Sequence, residues 1–216
     1  MLATAANFET RTNGATHMGN DDNLVFDAIA HLKIVDVSCP QQMLSLMKWT
    51  MEGNRGLLYV RVMRTPSAVL YEADYAFEFG RGWVLRQSDA DRVAIVSSGR
   101  GVHEALAAAQ ICADAGVPVR VVDMPSIDPA LIAELYESGK PLIVAEQNNG
   151  FIWQNILKVL YRQGTSIDPA LIVAVNTLGR DGRPQFIHSG TYEELVAAFG
   201  ISGERIARRV FGILNI

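Results

Sequence analysis

Cysteine is scarce in this chain of 216 residues: only Cys39 and Cys112 occur, both in apolar surroundings. Two thiols placed this way read as reduced, buried side chains of a cytoplasmic protein. No Cys-x-x-Cys occurs, and His17, His31, His103 and His188 form no close pair, so a zinc-type site has no ligand set. No G-x-S-x-G elbow is present, which leaves a serine hydrolase without its nucleophile. Runs of the ~18 apolar residues that a membrane span needs are also absent. The opening stretch "MLATAANFETRTNG" has neither a basic n-region nor an apolar h-region, so it does not read as a secretory signal. There is no basic block, and a net charge of −4 argues against nucleic-acid binding. Internal repeats and low-complexity segments are missing as well. What is there, 49% apolar and 19% charged residues, is enough to bury a core as one large domain or two small ones.

From residue 92 onward, short β-rich runs alternate with helical patterns. "RVAIVSSG" (92–99), "VPVRVVDM" (117–124), "PLIVAEQ" (141–147) and "ALIVAVN" (170–176) read as buried strands, continuous in Val and Ile rather than alternating. Between them lie helical patterns at 101–116, 126–139 and 151–164, and two more follow at 191–199 and 203–214. In the first of these, Leu106, Ala109, Ile111 and Ala113 are the candidates for an inner face. Asp128 before Pro129 is a start signal, and Gly116, Gly139 and Gly164 are stops. Parallel strands need crossover helices, so this alternation predicts an α/β fold: a mostly parallel sheet with helices on both faces in three layers. Ahead of it stands a partial second α/β unit: helix 23–32, strand 33–39, helix 41–53 and strand 56–64, too few elements to enclose a core. The segment 65–91 reads as a linker that itself pairs into structure. The expected division is therefore 1–64, 65–91 and 92–216.

Four groups of residues are candidates for chemistry. In "NGATHMGNDD" (13–22), His17 either faces a ligand or sits in a loop whose acids cap the next helix. Arg61 and Arg64 lie on the strand 56–64, with Arg64 at its carboxyl end, where a guanidinium grips a carboxylate or phosphate or else makes a surface salt bridge. Gly99 and Gly101 match two glycines of a G-x-G-x-x-G turn, and Asp123 stands roughly where a ribose-binding acid would fall. Glu104, however, replaces the third glycine and would repel a pyrophosphate, which favours a tight turn without nucleotide. Glu146 ends a strand at the carboxyl edge, where it serves either a ligand or a capping or interface role.

Taken together, "GATHMGNDDNLVFDAIAHLKIVDVSCP", "GLLYVRVMR", "FEFGRGWVLRQSDADRVAIVSSG", "AGVPVRVVDMPSIDP", "LIVAEQNNG" and "FIHSGTYEELVAAFGISGERI" resemble, in order, the transketolase family of thiamine-diphosphate enzymes. The resemblance implies the end of a pyrimidine-binding domain (1–64) followed by a C-terminal domain (92–216). It implies that His17 is the active-site histidine. Asn13 falls where transketolases carry a substrate-reading aspartate, and Arg64 matches the arginine that binds the far, usually phosphorylated, end of the sugar. Ala5 stands where many members have a further histidine.

The family's ylid-forming glutamate and its glycine-aspartate-glycine diphosphate motif have no counterpart in these residues. By resemblance, thiamine diphosphate and Mg²⁺ belong to the complete enzyme, and this chain is expected to be inactive alone. It would need a homo-oligomer or a companion chain carrying the N-terminal cofactor-binding region. Two readings stay open at this point. One is a subunit or fragment of a ketol-transferring enzyme acting on a sugar phosphate, or of the related 2-oxoacid dehydrogenase beta subunits or deoxyxylulose-phosphate synthases. The other is a non-catalytic interaction or regulatory module on the same fold.

Overall fold

The computed structural model describes residues 1–9 and 13–216. The second half follows the pattern read from its sequence. Five strands, β4 (Trp83–Arg86), β5 (Val93–Ser97), β6 (Val119–Asp123), β7 (Leu142–Ala145) and β8 (Ile172–Val175), form one sheet in the order β4-β6-β5-β7-β8. The last four are parallel; β4 joins the edge antiparallel to β6, with an irregularity between Val84 and Arg86. Strand β4 comes from the segment 65–91, so the sheet begins ahead of residue 92. A two-faced aliphatic strand announces itself in sequence, whereas β4 is a half-buried edge strand carrying an arginine and gives a weaker signal.

Successive residues of β5 bury to opposite sides, as the pleat requires. Val93 and Ile95 face α3 (Gly101–Asp114), α6 (Tyr192–Ala198) and α7 (Gly203–Leu214). Ala94 and Val96 face α4 (Pro129–Glu137) and α5 (Phe151–Arg162). Helices α4 and α6 carry side-chain caps that their sequences supply. Asp128 caps α4 by accepting from the amides of Ala130 and Leu131, and Thr191 with Glu194 forms a capping box on α6.

The inner face of α3 meets expectation at Ala109 and differs at Leu106, Ile111 and Ala113, which are only partly buried. Ala105, Ala108, Ala109 and Cys112 are fully buried. Small residues point inward because α7 lies close against α3: a Cβ on Gly203 would sit 2.8 Å from that of Ala107. Periodicity locates a helical stripe, but it does not say that a neighbouring helix demands alanine there.

The first half contains β1 (Leu2–Ala3), β2 (Lys33–Asp36) and β3 (Leu58–Arg61) in a parallel sheet of order β1-β3-β2. One face packs on α2 (Pro40–Met51) through Val35, Val37, Leu46, Val60 and Phe77, a core of five buried residues. The other face turns Ile34 and Tyr59 into the core of the second half. Helix α1 (Asp22–Phe26) is half its predicted length. The chain turns after Phe26, which packs edge-on against Tyr59, and His31 reverses it into β2 from a left-handed backbone (φ +63°). Among the described residues, nine of the twelve exposed large apolar side chains precede residue 70, and Leu44, Met47 and Met51 make a stripe along α2. No helix among the described residues is long and apolar enough to cross a membrane.

Candidate functional site

His17 ends a short 3-10 turn (Ala15–His17) and is exposed. Its Nδ1 lies 2.8 Å from the Thr16 hydroxyl, and its amide donates to the Gly14 carbonyl at 3.1 Å. Gly14 has φ +74°, and a Cβ there would stand 2.9 Å from the Ser189 amide nitrogen. Glycine is required because the loop presses on the backbone of the "HSG" stretch near the far end of the chain. The base of the loop is closed by backbone bonds, Asn7 N–H to the Gly19 carbonyl (3.0 Å) and Gly19 N–H to the Ala5 carbonyl (2.8 Å).

The two aspartates behind the loop do not cap α1: Asp21 is its N-cap residue and makes no side-chain cap bond. Asp22 instead accepts from the Tyr59 hydroxyl at 2.6 Å and pairs with Arg61 at 3.1 Å. Capping is therefore not what the acids do: Asp22 is spent on the buried guanidinium and the tyrosine hydroxyl, and Asp21 makes no cap bond. Asn20 ties the same stretch to the loop after β7, donating to the Gln147 carbonyl at 2.9 Å while its own carbonyl accepts from the Asn149 amide.

Asn13 is exposed on the His17 loop, and Arg64 is exposed three residues beyond the end of β3, not at the strand terminus. Among the described residues no hydrogen bond or ion pair joins Asn13, His17 and Arg64. Their segments meet at one point: Glu9, 3% exposed, accepts from the Thr65 amide at 3.0 Å and from the Thr65 hydroxyl. Its other oxygen faces Arg100 Nε at 3.6 Å, and that guanidinium lies over the Tyr192 ring. These residues line a cavity of about 460 Å³ between the two halves of the chain. Sequence reasoning missed Glu9, and the only signal was a carboxylate just ahead of the loop.

The dinucleotide-like turn is built for close packing. A Cβ on Gly99 would lie 2.6 Å from Asp36 Oδ1, and one on Gly101 would collide with the Ser97 hydroxyl. Glu104 accepts from the Tyr192 hydroxyl (2.9 Å) and from the Gly203 amide (2.8 Å), joining α3 to α6 and α7. Asp123 is fully buried, taking hydrogen bonds from the Ser38 and Tyr71 hydroxyls and from Gln42. Burial pushes its carboxyl up to about 7 despite those three donors. It cannot meet a ribose.

Glu146 is also fully buried and accepts from the amides of Ile152 (2.6 Å) and Trp153 (3.1 Å) in the first turn of α5. Burial raises it to about 7, with those two amides pulling the other way. It is a capping carboxylate. Among the described residues no group of three His, Cys, Asp or Glu side chains could hold a metal ion.

Comparison with known proteins follows the same line. The family described as "Transketolase, C-terminal domain" matches residues 82–206, which run from just before β4 into α7. Transketolase-like protein 1 of Bos taurus is 30% identical over 169 residues, 74% of this chain and 26% of that protein. A putative transketolase C-terminal section of Methanocaldococcus jannaschii is 26% identical over 215 residues, 97% of this chain and 64% of that one. Among solved structures, a split gene transketolase described as an inactive beta4 tetramer superposes with a TM-score of 0.77 at 25% identity, covering 99% of this chain and 65% of that one. The chain thus spans between a quarter and two thirds of these relatives. With that match over more than half its length, and a strand order and helix placement to go with it, the chain belongs to the transketolase C-terminal domain family.

Proposed function

We propose that this chain is the C-terminal part or subunit of a transketolase-type enzyme that moves a two-carbon ketol unit between sugar-phosphate substrates. On this reading residues 1–64 end a pyrimidine-binding domain, 65–91 connect, and 92–216 form the C-terminal domain, whose sheet β4 already enters. Thiamine diphosphate and Mg²⁺ would be held by the N-terminal region of the complete enzyme, and the cofactor supplies the electron sink there. What this chain contributes is His17, to exchange a proton with a substrate hydroxyl, and Asn13 and Arg64, to bind the substrate.

The observation that most supports the reading is the contrast within one loop: its base is buried and bonded, while the imidazole at its tip stays exposed. With Nδ1 engaged by Thr16, Nε2 is the nitrogen left to meet a ligand. The exposed apolar stripe of α2 supports assembly with a companion, since soluble proteins seldom leave such patches bare. The split-gene relative, described as an inactive tetramer, supports a chain that associates with itself yet is silent alone.

Mixing the chain with one that carries the N-terminal cofactor-binding region should restore ketol transfer. The pure chain should neither turn over a ketose nor bind thiamine diphosphate tightly with Mg²⁺, as read by calorimetry. A non-catalytic module would gain no activity from any such companion.

A further inference from the structure

We infer that Arg61 is the positioning residue of the loop that carries Asn13 and His17; this rests on the site reading above and deepens it. Arg61 is the last residue of β3 and is wholly buried. The pleat puts it on the same side of the sheet as Tyr59 and opposite Val60, so it points away from α2 and under the loop. A single nitrogen, Nη2, donates to the Asn7 side-chain oxygen at 2.8 Å and to the Gly19 carbonyl at 2.9 Å. Those two residues are the two ends of the segment 7–19.

The remaining nitrogens face the charge that keeps a buried guanidinium tolerable. Nη1 is 3.1 Å from Asp22 and Nε is 3.8 Å from Asp36. Asp36 in turn accepts from the Ser98 hydroxyl at 3.0 Å, at the carboxyl end of β5. One planar fork therefore pins the loop base to β3 and, through Asp36, to the second sheet. A lysine ammonium is a point donor on a flexible stem and cannot hold all of these groups at once. Asn7 sits at φ +60° for this contact, a backbone it adopts at a cost.

Amide hydrogen exchange on the isolated chain tests the clamp. In Arg61→Lys, the amides of Asn7, His17 and Gly19 should exchange about 10-fold faster or more, while those of β5 and β7 stay protected, because local opening is independent of global unfolding. Asn7→Gly, which suits the backbone and leaves every charge in place, should move the same amides less. It remains informative if Arg61→Lys does not fold. Unchanged loop amides, or acceleration spread evenly over both sheets, would overturn the inference.

The link to chemistry is read in the reconstituted enzyme. Asn7→Gly should lower kcat by about 10-fold, part of the ~10²-fold that a misplaced catalytic group costs, with KM little changed. The loss should vanish in a His17→Ala background if it is transmitted through His17. An equal loss in both backgrounds sinks the positioning role. Full activity in His17→Ala alone would sink the site reading instead, and the exchange result would still decide whether Arg61 is the clamp.

Discussion

Removing the His17 imidazole takes away one side-chain contact, the 2.8 Å bond to Thr16. His17→Ala should therefore change folding stability by no more than about 0.5 kcal/mol in urea titration. This insulation does not come from a helix cap behind the loop: Asp22 is committed to Tyr59 and Arg61, and Asp21 makes no cap bond. Gly14 is the opposite case. Gly14→Ala meets both a left-handed backbone and a backbone atom at 2.9 Å, and should cost about 1–3 kcal/mol, read as a lower urea midpoint. The motif around His17 was legible in the sequence as a pattern. The reason for its glycine was not, because Ser189 reaches it only through the tertiary fold. Arg61 stood in plain view beside Arg64, yet strand parity alone says which face it takes and not that Asn7 and Gly19 both bond to it.

The α/β succession was legible because fully buried strands are runs of Val and Ile, bounded by glycine stops and, at Asp128–Pro129, a helix start, all of them local signals. The elements that escaped, β1 and the early end of α1, are fixed by partners remote in sequence, β1 by β3 and Phe26 by Tyr59; β4 was legible as a pairing segment, but its partner β6 was not. The buried carboxyls at the sheet ends make a prediction at this scale. Asp123 and Glu146 are both raised to about 7 by burial. Between about pH 4 and 7 the unfolded chain has lost protons that these groups keep in the folded state. Stability should fall as pH rises through that window and level off above it. Glu146→Gln removes one of the titrating groups, so its stability–pH curve between pH 5 and 7 should be shallower, by at most about 1.4 kcal/mol per pH unit. Urea midpoints at a series of pH values give the slope, and an unchanged slope would mean that Glu146 is already ionised in the folded state.

Considered whole, the molecule is lopsided: a well-filled sandwich follows a thin sheet with a five-residue core of its own and an apolar stripe along α2. Sedimentation of the pure chain should show self-association, and a combined Met47→Lys and Met51→Lys variant should shift it toward smaller species with the second sheet unaffected. A stable monomer in the unmodified chain would count against an assembly role for α2. The central claim is that His17 and Arg64 belong to the reacting site of a larger enzyme, and steady-state kinetics on the reconstituted assembly tests it most directly. His17→Ala should lower kcat by about 10²-fold or more, the scale of a positioned acid–base group. Arg64→Ala should chiefly raise KM, by the equivalent of about 1.5–3 kcal/mol of charge-assisted hydrogen bonding. Full activity with unchanged KM in both variants would contradict the account.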